Sequence, residues 1–507
     1  MDTLHEIIQL LDRYKVRQIE VLTNASEGKE SRYFECYAGM RDGRWESEDD
    51  MAIHFGLEPG SKAFTRFKNE VRKRLQNSIL FIDTSLPEFN DYNRASITLT
   101  QQWAIAKVLM HRGARRAFIE MAEQILKVAI YYEFLDIVEE VLRHLITSIM
   151  PFPQYNKDFS RYMKMYEEYK EAHDAEKFIW KSVNSLIWPL VTRKGIPSEH
   201  LEPIMQQIEA LRPLAERYPY TLIQSHYRSI ELYGPIFSND WDTALRKARQ
   251  AKSFFEDKPS RPIFHVLKFA QQESACLIML LRFEEARALC RKSMGMLTEG
   301  ISMWFKFWEM DTVAAFQSGE YTDAWQSVRS ALRHPRFSTI SIMDQESWRV
   351  FYGYLCLMAR LRILSLSPRE KGETEKFRLS SWLNDLPLHS TDKRGANIPI
   401  LILQMLFLLT EERLEEFENR TEALRKYRQR NLELDSEHLR TDCFIRLLES
   451  ITKHNYQMKR IAQESGKWLE KMKMGKTNIL DYSYELEIIP YERQWEWTVE
   501  VLKKITH

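Results

Sequence analysis

The sequence predicts an all-α chain: helical hairpins stacked in tandem with a period of about 40 residues, behind a small helical N-terminal domain. Three observations lead there. Glycine and proline are scarce, 16 and 17 in 507 residues, against averages of roughly 7% and 5%, and turn-rich β architectures need more of both. From about residue 98, apolar residues recur at i, i+3, i+4 and i+7, as in "WAIAKVLMHRGARRAFIEMAEQILKVAIYYEFLDIVEEVLRHLITSIM", the spacing of amphipathic helices. One pattern of small and bulky residues also returns along the chain at a near-constant interval.

Residues 1–95 form the first expected domain. The opening "MDTLHEIIQLLDRYKVRQIEVL" has early acids and no unbroken apolar stretch, unlike a secretory signal. Ser47, followed by acids, reads as the cap of a short helix that Gly56 ends. "EPGS" turns, and Ser61 caps a second helix from about 62 to 82. The pair looks like a helix-turn-helix. Its apolar seam is Ala63, Phe67, Val71, Leu75 and Ile79, with Phe64 at the edge. Lys62, Arg66, Lys68, Arg72, Lys73 and Arg74 occupy the rest of that helix. Cations so placed can follow the phosphates of a nucleic acid. They also suit a solvated face paired with the upstream "ESEDD". A linker follows, and residues 96–507 form the second expected domain.

The template of the second domain is "GEYTDAWQSVRSALRHP", 319–335. Gly319 ends one helix, and Ala324, Val328 and Ala331 share a face of the next. Small residues there let another helix approach, Tyr321 fills the wedge at the turn, and Pro335 stops the helix. The frame recurs with Trp241, Ala244, Ala248 and Ala251, and with Phe283, Ala286, Cys290 and Ser293. Larger residues hold it at Leu135, Leu201 and Leu414. Frames at 201, 241, 283 and 321 are 40, 42 and 38 residues apart, one helical hairpin per repeat.

These residues resemble the second helix of a tetratricopeptide repeat, and Trp308 falls where that family often has an aromatic in the first helix. The family's period is 34, and Glu231, Glu273 and Asp311 stand where its first helices are usually apolar. The resemblance implies a TPR-like α-solenoid whose concave groove is lined by first helices and holds an extended peptide or partner helix. Register projects into that groove His226, Ser229, Tyr233 and Phe237 from the first unit. The second supplies Lys268, Gln271, Ala275, Ile278 and Met279, and the third Lys306, Glu309, Val313, Phe316 and Gln317. "YELEIIPYERQWEWTVEVLKKITH", with Trp495 and Trp497, reads as an atypical closing helix or, with its aromatics exposed, as a docking site.

Lys+Arg is 73 and Asp+Glu 72, so overall charge points neither to nucleic acid nor to acidic substrates. The longest apolar run, "IPILILQMLFLL" at 398–409, is shorter than a membrane span and predicts a buried helix. Cys36, Cys276, Cys290, Cys356 and Cys443 include no C-x-x-C and read as reduced core thiols of a cytoplasmic protein. No phosphate loop, G-x-G-x-x-G, H-E-x-x-H or G-x-S-x-G occurs, so no catalytic residue, cofactor or metal is expected. "RKGIPSEH" is similar to the Arg…His signature of HEPN helical ribonucleases, through Arg193 and His200, but Gly195 and Pro197 break the segment and Lys194 replaces the usual small polar residue or histidine. The expected function is a non-catalytic scaffold binding a protein or peptide in the groove. The alternatives are a regulator that contacts DNA through 61–82 and a helical ribonuclease.

Overall fold

Ahead of one helix after another, the backbone turns left-handed two residues before the helix starts. Gly113 precedes Arg115, Glu133 precedes Leu135, Asn239 precedes Trp241, Leu281 precedes Phe283, Gly319 precedes Tyr321 and Glu412 precedes Leu414. In each turn the next residue donates its N–H to a carbonyl five residues back: Phe134 to Ala129 at 2.9 Å, Arg282 to Leu277 at 2.8 Å, Glu320 to Ala315 at 2.9 Å. This is the Schellman stop, which satisfies the last carbonyls of one helix and redirects the chain into the next. The expected frames at 135, 241, 283, 321 and 414 are all helix starts.

The structure is a computed structural model that describes residues 8, 32–45, 47–79, 84, 91–192, 201–385, 398–431, 439–475 and 487–505. Among them all regular structure is helical and no strand occurs. The chain forms two compact units, Met1–Asp174 and Ala175–His507.

The first unit holds α1 (Arg32–Arg41), α2 (Glu48–His54), α3 (Lys62–Ile79), α4 (Asp91–His111), α5 (Arg115–Tyr132) and α6 (Leu135–Ile149), and α7 (Asn156–Thr192) begins in it. Ser47 caps α2 in a reciprocal capping box with Asp50. Ser61 accepts from Phe64 N–H at 3.2 Å, which places the α3 start where the sequence predicts it. Cys36, Met51, Phe64, Val71 and Leu75 form one apolar core. The α4–α6 helices build another around Trp103, Phe118, Ile125, Val138 and Leu142. The α3 seam needs one correction: Ala63 is exposed and Phe64, 2% exposed, takes its place, because the face is set by Val71 and Leu75, seven and eleven residues further on.

The second unit contains α8 (Leu201–Ala210), α9 (Arg212–Arg217), α10 (Thr221–Glu231), α11 (Tyr233–Phe237), α12 (Trp241–Glu256), α13 (Ile263–Met279), α14 (Phe283–Met294), α15 (Ser302–Ser318) and α16 (Tyr321–Leu332). It continues with α17 (Ile342–Arg360), α18 (Pro368–Glu375), α19 (Leu379–Asp385), α20 (Ile398–Thr410), α21 (Leu414–Asn431), α22 (Leu439–Lys453), α23 (Met458–Lys473) and α24 (Tyr491–Ile505). From α12 to α17 each helix packs on the next; α17 then packs on α20, and the series runs on through α23. The frame positions Ala244, Ala248, Ala286, Cys290, Ala324, Val328 and Ala331 are fully buried. Small side chains there bring neighbouring helices close without voids. The apolar run at 398–409 is a buried helix, as predicted. Among the described residues no helix is long and apolar enough to cross a membrane. All five cysteines are unpaired and buried.

Candidate binding surfaces

Glu231, Glu273 and Asp311 each sit ten residues before a frame start. They are not misfits. Glu231 meets Lys247 at 2.6 Å, Glu273 meets Arg249 at 2.7 Å and Lys252, and Asp311 meets Arg287 at 3.0 Å and Arg291 at 3.4 Å. Arg249 and Arg291 both stand eight residues into their frames. Each reaches forward to the acid of the next first helix and to an acid of the next second helix, Glu285 at 3.5 Å and Asp323 at 3.8 Å. Arg329, at the same position in the third frame, meets Glu370 at 2.7 Å and Glu373 at 3.0 Å. An ionic ladder thus ties successive hairpins together. Its sequence signal was the arginine shared by three frames.

The projected groove residues divide into those left accessible and those covered. On α10 and α11, His226, Ser229, Tyr233 and Phe237 are half-buried, and the last two rings lie 5.5 Å apart. On α13, Lys268, Gln271, Ala275 and Met279 are half-buried along one face, but Ile278 is fully buried. On α15 the surface is closed. Val313 and Phe316 are core residues, 2% and 0% exposed, and Glu309 is buried and paired with Lys306 at 2.7 Å. The expectation that these three line an open groove is corrected. Phe316 packs on Phe351 of α17 with ring centroids 5.5 Å apart. Gln317 donates to the carbonyls of Glu487 and Ile488, so the C-terminal segment already lies against this end of α15. Arg440 grips that segment, with Glu487 at 2.6 Å and Glu492 at 2.7 Å. Burial pushes the Glu487 carboxyl up and the guanidinium beside it pulls it back. Trp495 is buried within α24, which packs on α20, α22 and α23, and the expectation of an exposed-aromatic docking site is corrected.

A polar cluster joins α10 to α13. Lys268 Nζ donates to the buried Ser225 hydroxyl at 3.2 Å, leaving the hydroxyl proton for His265 Nδ1 at 2.9 Å. Burial, with Lys268 close by, pushes His265 down to about 3 and lowers His226. Burial alone lowers Lys268. Both imidazoles are therefore neutral at physiological pH and can each offer an N–H.

Of the α3 cations, Lys68 pairs with Glu48 at 2.5 Å. Arg74 pairs with Glu70 at 3.0 Å and lies over Tyr33, and half-buried Arg72 reaches Asn69 at 3.5 Å. Lys62, Arg66 and Lys73 are exposed on the face opposite Val71 and Leu75. The six cations thus split into three that brace the helix and three that face outward. Arg193 and His200 lie outside the described residues. Among the described residues no cluster of metal-ligating side chains occurs. Comparison with family models, curated proteins and solved structures finds no match, so function is argued from these surfaces alone.

Proposed function

We propose that the second unit is a TPR-like α-solenoid that acts as a non-catalytic scaffold, holding an extended segment of a protein partner along α10 and α13. The observation that carries this reading is the contrast between neighbouring hairpins. On α15 the inner register is covered and Gln317 holds the backbone carbonyls of residues 487 and 488. On α10, α11 and α13 the counterparts of the buried Glu309 and Val313, which are Ser229, Tyr233, Gln271 and Ala275, stay half-exposed. A surface that binds a non-helical segment of its own chain through backbone carbonyls uses the chemistry by which extended peptides are held. The test is capture from native lysate, with proteins identified by mass spectrometry, comparing the full chain with Gln271→Ala plus Ser229→Trp. A partner lost in that variant while helical content is kept supports the reading; identical capture by both overturns it.

A second reading rests on Lys62, Arg66 and Lys73. They recur at four- and seven-residue steps on one face of α3, spanning about 16 Å, and suit the phosphates of a nucleic acid. The full chain then retards duplex DNA at low salt. The logarithm of its affinity falls against log salt with a slope of about −3, one counterion per contact. Reversing the charge of all three abolishes the shift, and no retardation at low salt ends this reading.

A further inference from the structure

Several buried or half-buried cations of the second unit are met by acids. Lys247 has Glu231, Lys252 has Glu273, Arg287 has Asp311 and Arg440 has Glu487. Lys268 is not so met, and neither is Arg228, which donates to the Gln224 amide oxygen at 2.9 Å. The Lys268 ammonium donates to the Ser225 hydroxyl, and among the described residues no carboxylate meets it. Its charged neighbours are of its own sign or neutral. His226 and His265 both feel its charge, and Lys258 adds to the field at His265. An ammonium has three donors, so Lys268 keeps N–H groups for another acceptor. The half-exposed imidazole of His226, one residue from Ser225, lies within reach of the Lys268 charge. Leaving a partly buried charge uncompensated is costly, and Lys268 is left so on the surface proposed above for a partner.

We propose that Lys268, with His226 and the Ser225–His265 pair, is a receptor site for one oxyanion, a carboxylate or phosphate group carried by the bound segment. The proposal deepens the scaffold reading and rests on it for the identity of the carrier. The site itself does not need a partner to be tested. An oxyanion at Lys268 supplies the missing counter-charge, accepts from the free ammonium donors, and takes an N–H from His226 without disturbing the Ser225–His265 hydrogen bond.

The experiment is NMR on the full chain carrying ring-labelled histidine, with His226 and His265 signals assigned through His226→Gln and His265→Gln. Sodium phosphate and sodium acetate are titrated separately to tens of millimolar, where even a site with a Kd of about 1 mM is filled, against sodium chloride at equal ionic strength. The expected result is a saturable shift of both rings with phosphate, acetate or both, absent with chloride, and weakened about tenfold or more in Lys268→Met. Lys268→Arg keeps the charge and retains the response. Unmoved histidines in the presence of both anions, or an unchanged response in Lys268→Met with the other histidine signals still dispersed, overturns the site. Response to phosphate alone assigns a phosphate group, and response to acetate a carboxylate. Anion binding with no partner captured in lysate keeps the site and removes its peptide carrier; a captured partner with silent histidines removes the site and keeps the scaffold.

Discussion

Replacing Ala324 by leucine tests the close packing at the small-residue positions of α12, α14 and α16. Ala324 is fully buried at the third residue after a helix start, on the face shared with Val328 and Ala331. Three added carbons have no space there without moving α16 from its neighbours, and overpacking of this kind costs about 1–3 kcal/mol. The control lies one hairpin earlier. Ala288 is exposed on α14, between the buried Ala286 and Cys290, and Ala288→Leu is expected within about 0.5 kcal/mol of the parent. Global unfolding of a 507-residue chain that forms two compact units is not a single two-state event. The assay is therefore native-state hydrogen exchange of the peptide covering 321–332. One or two kcal/mol of local destabilisation speeds its opening about 5- to 30-fold. Equal exchange in Ala324→Leu and Ala288→Leu would refute the claim that this alanine marks a close approach of helices.

Other expectations follow from single contacts. Leu281 holds a left-handed backbone (φ 58°) and is 60% exposed; Leu281→Gly relieves about 1–2 kcal/mol of strain against the larger entropy of glycine in the unfolded chain, and a small rise in melting temperature checks it. Arg440→Met strands the buried Glu487 carboxylate and costs about 3–5 kcal/mol, while Arg440→Met with Glu487→Gln recovers part of the loss in denaturant unfolding. The Glu370 carboxyl is held down to about 2 by hydrogen bonds from Ser367 and Trp325 and by Arg329. A depressed carboxyl stabilises the fold above its unfolded value, and the contribution fades as pH falls from about 4.5 through 2. Acid titration of Trp325 emission therefore changes in that window, and Glu370→Gln removes the change. Ser47→Ala breaks the capping box of α2 and lowers stability of the first unit by about 0.5–2 kcal/mol.

Much of the second unit was legible residue by residue. Tyr321, Phe283 and Trp241 open helices where the pattern put them, because a turn two residues earlier and buried small residues at three- and four-residue steps are local features. The acids Glu231, Glu273 and Asp311 were visible but read as departures, since their partners lie on adjoining helices. Along α3 the seam shifted from Ala63 to Phe64, an error of one position at a helix end, where two neighbouring residues lie close to the same face. Val313 and Phe316 carried no local sign of what covers them. Gln317 meets the main chain of residues 170 and 171 positions further on.

Helix, turn and buried stripe were therefore determined by the sequence itself, since side-chain periodicity and backbone preferences act over a few residues. Tertiary structure decided which stripes stay open. It laid the C-terminal segment beside α15, matched the ladder arginines to their acids, and left Lys268 without one. Those outcomes depend on which distant surfaces compete for the same apolar and charged groups, and that competition is settled only when the helices meet.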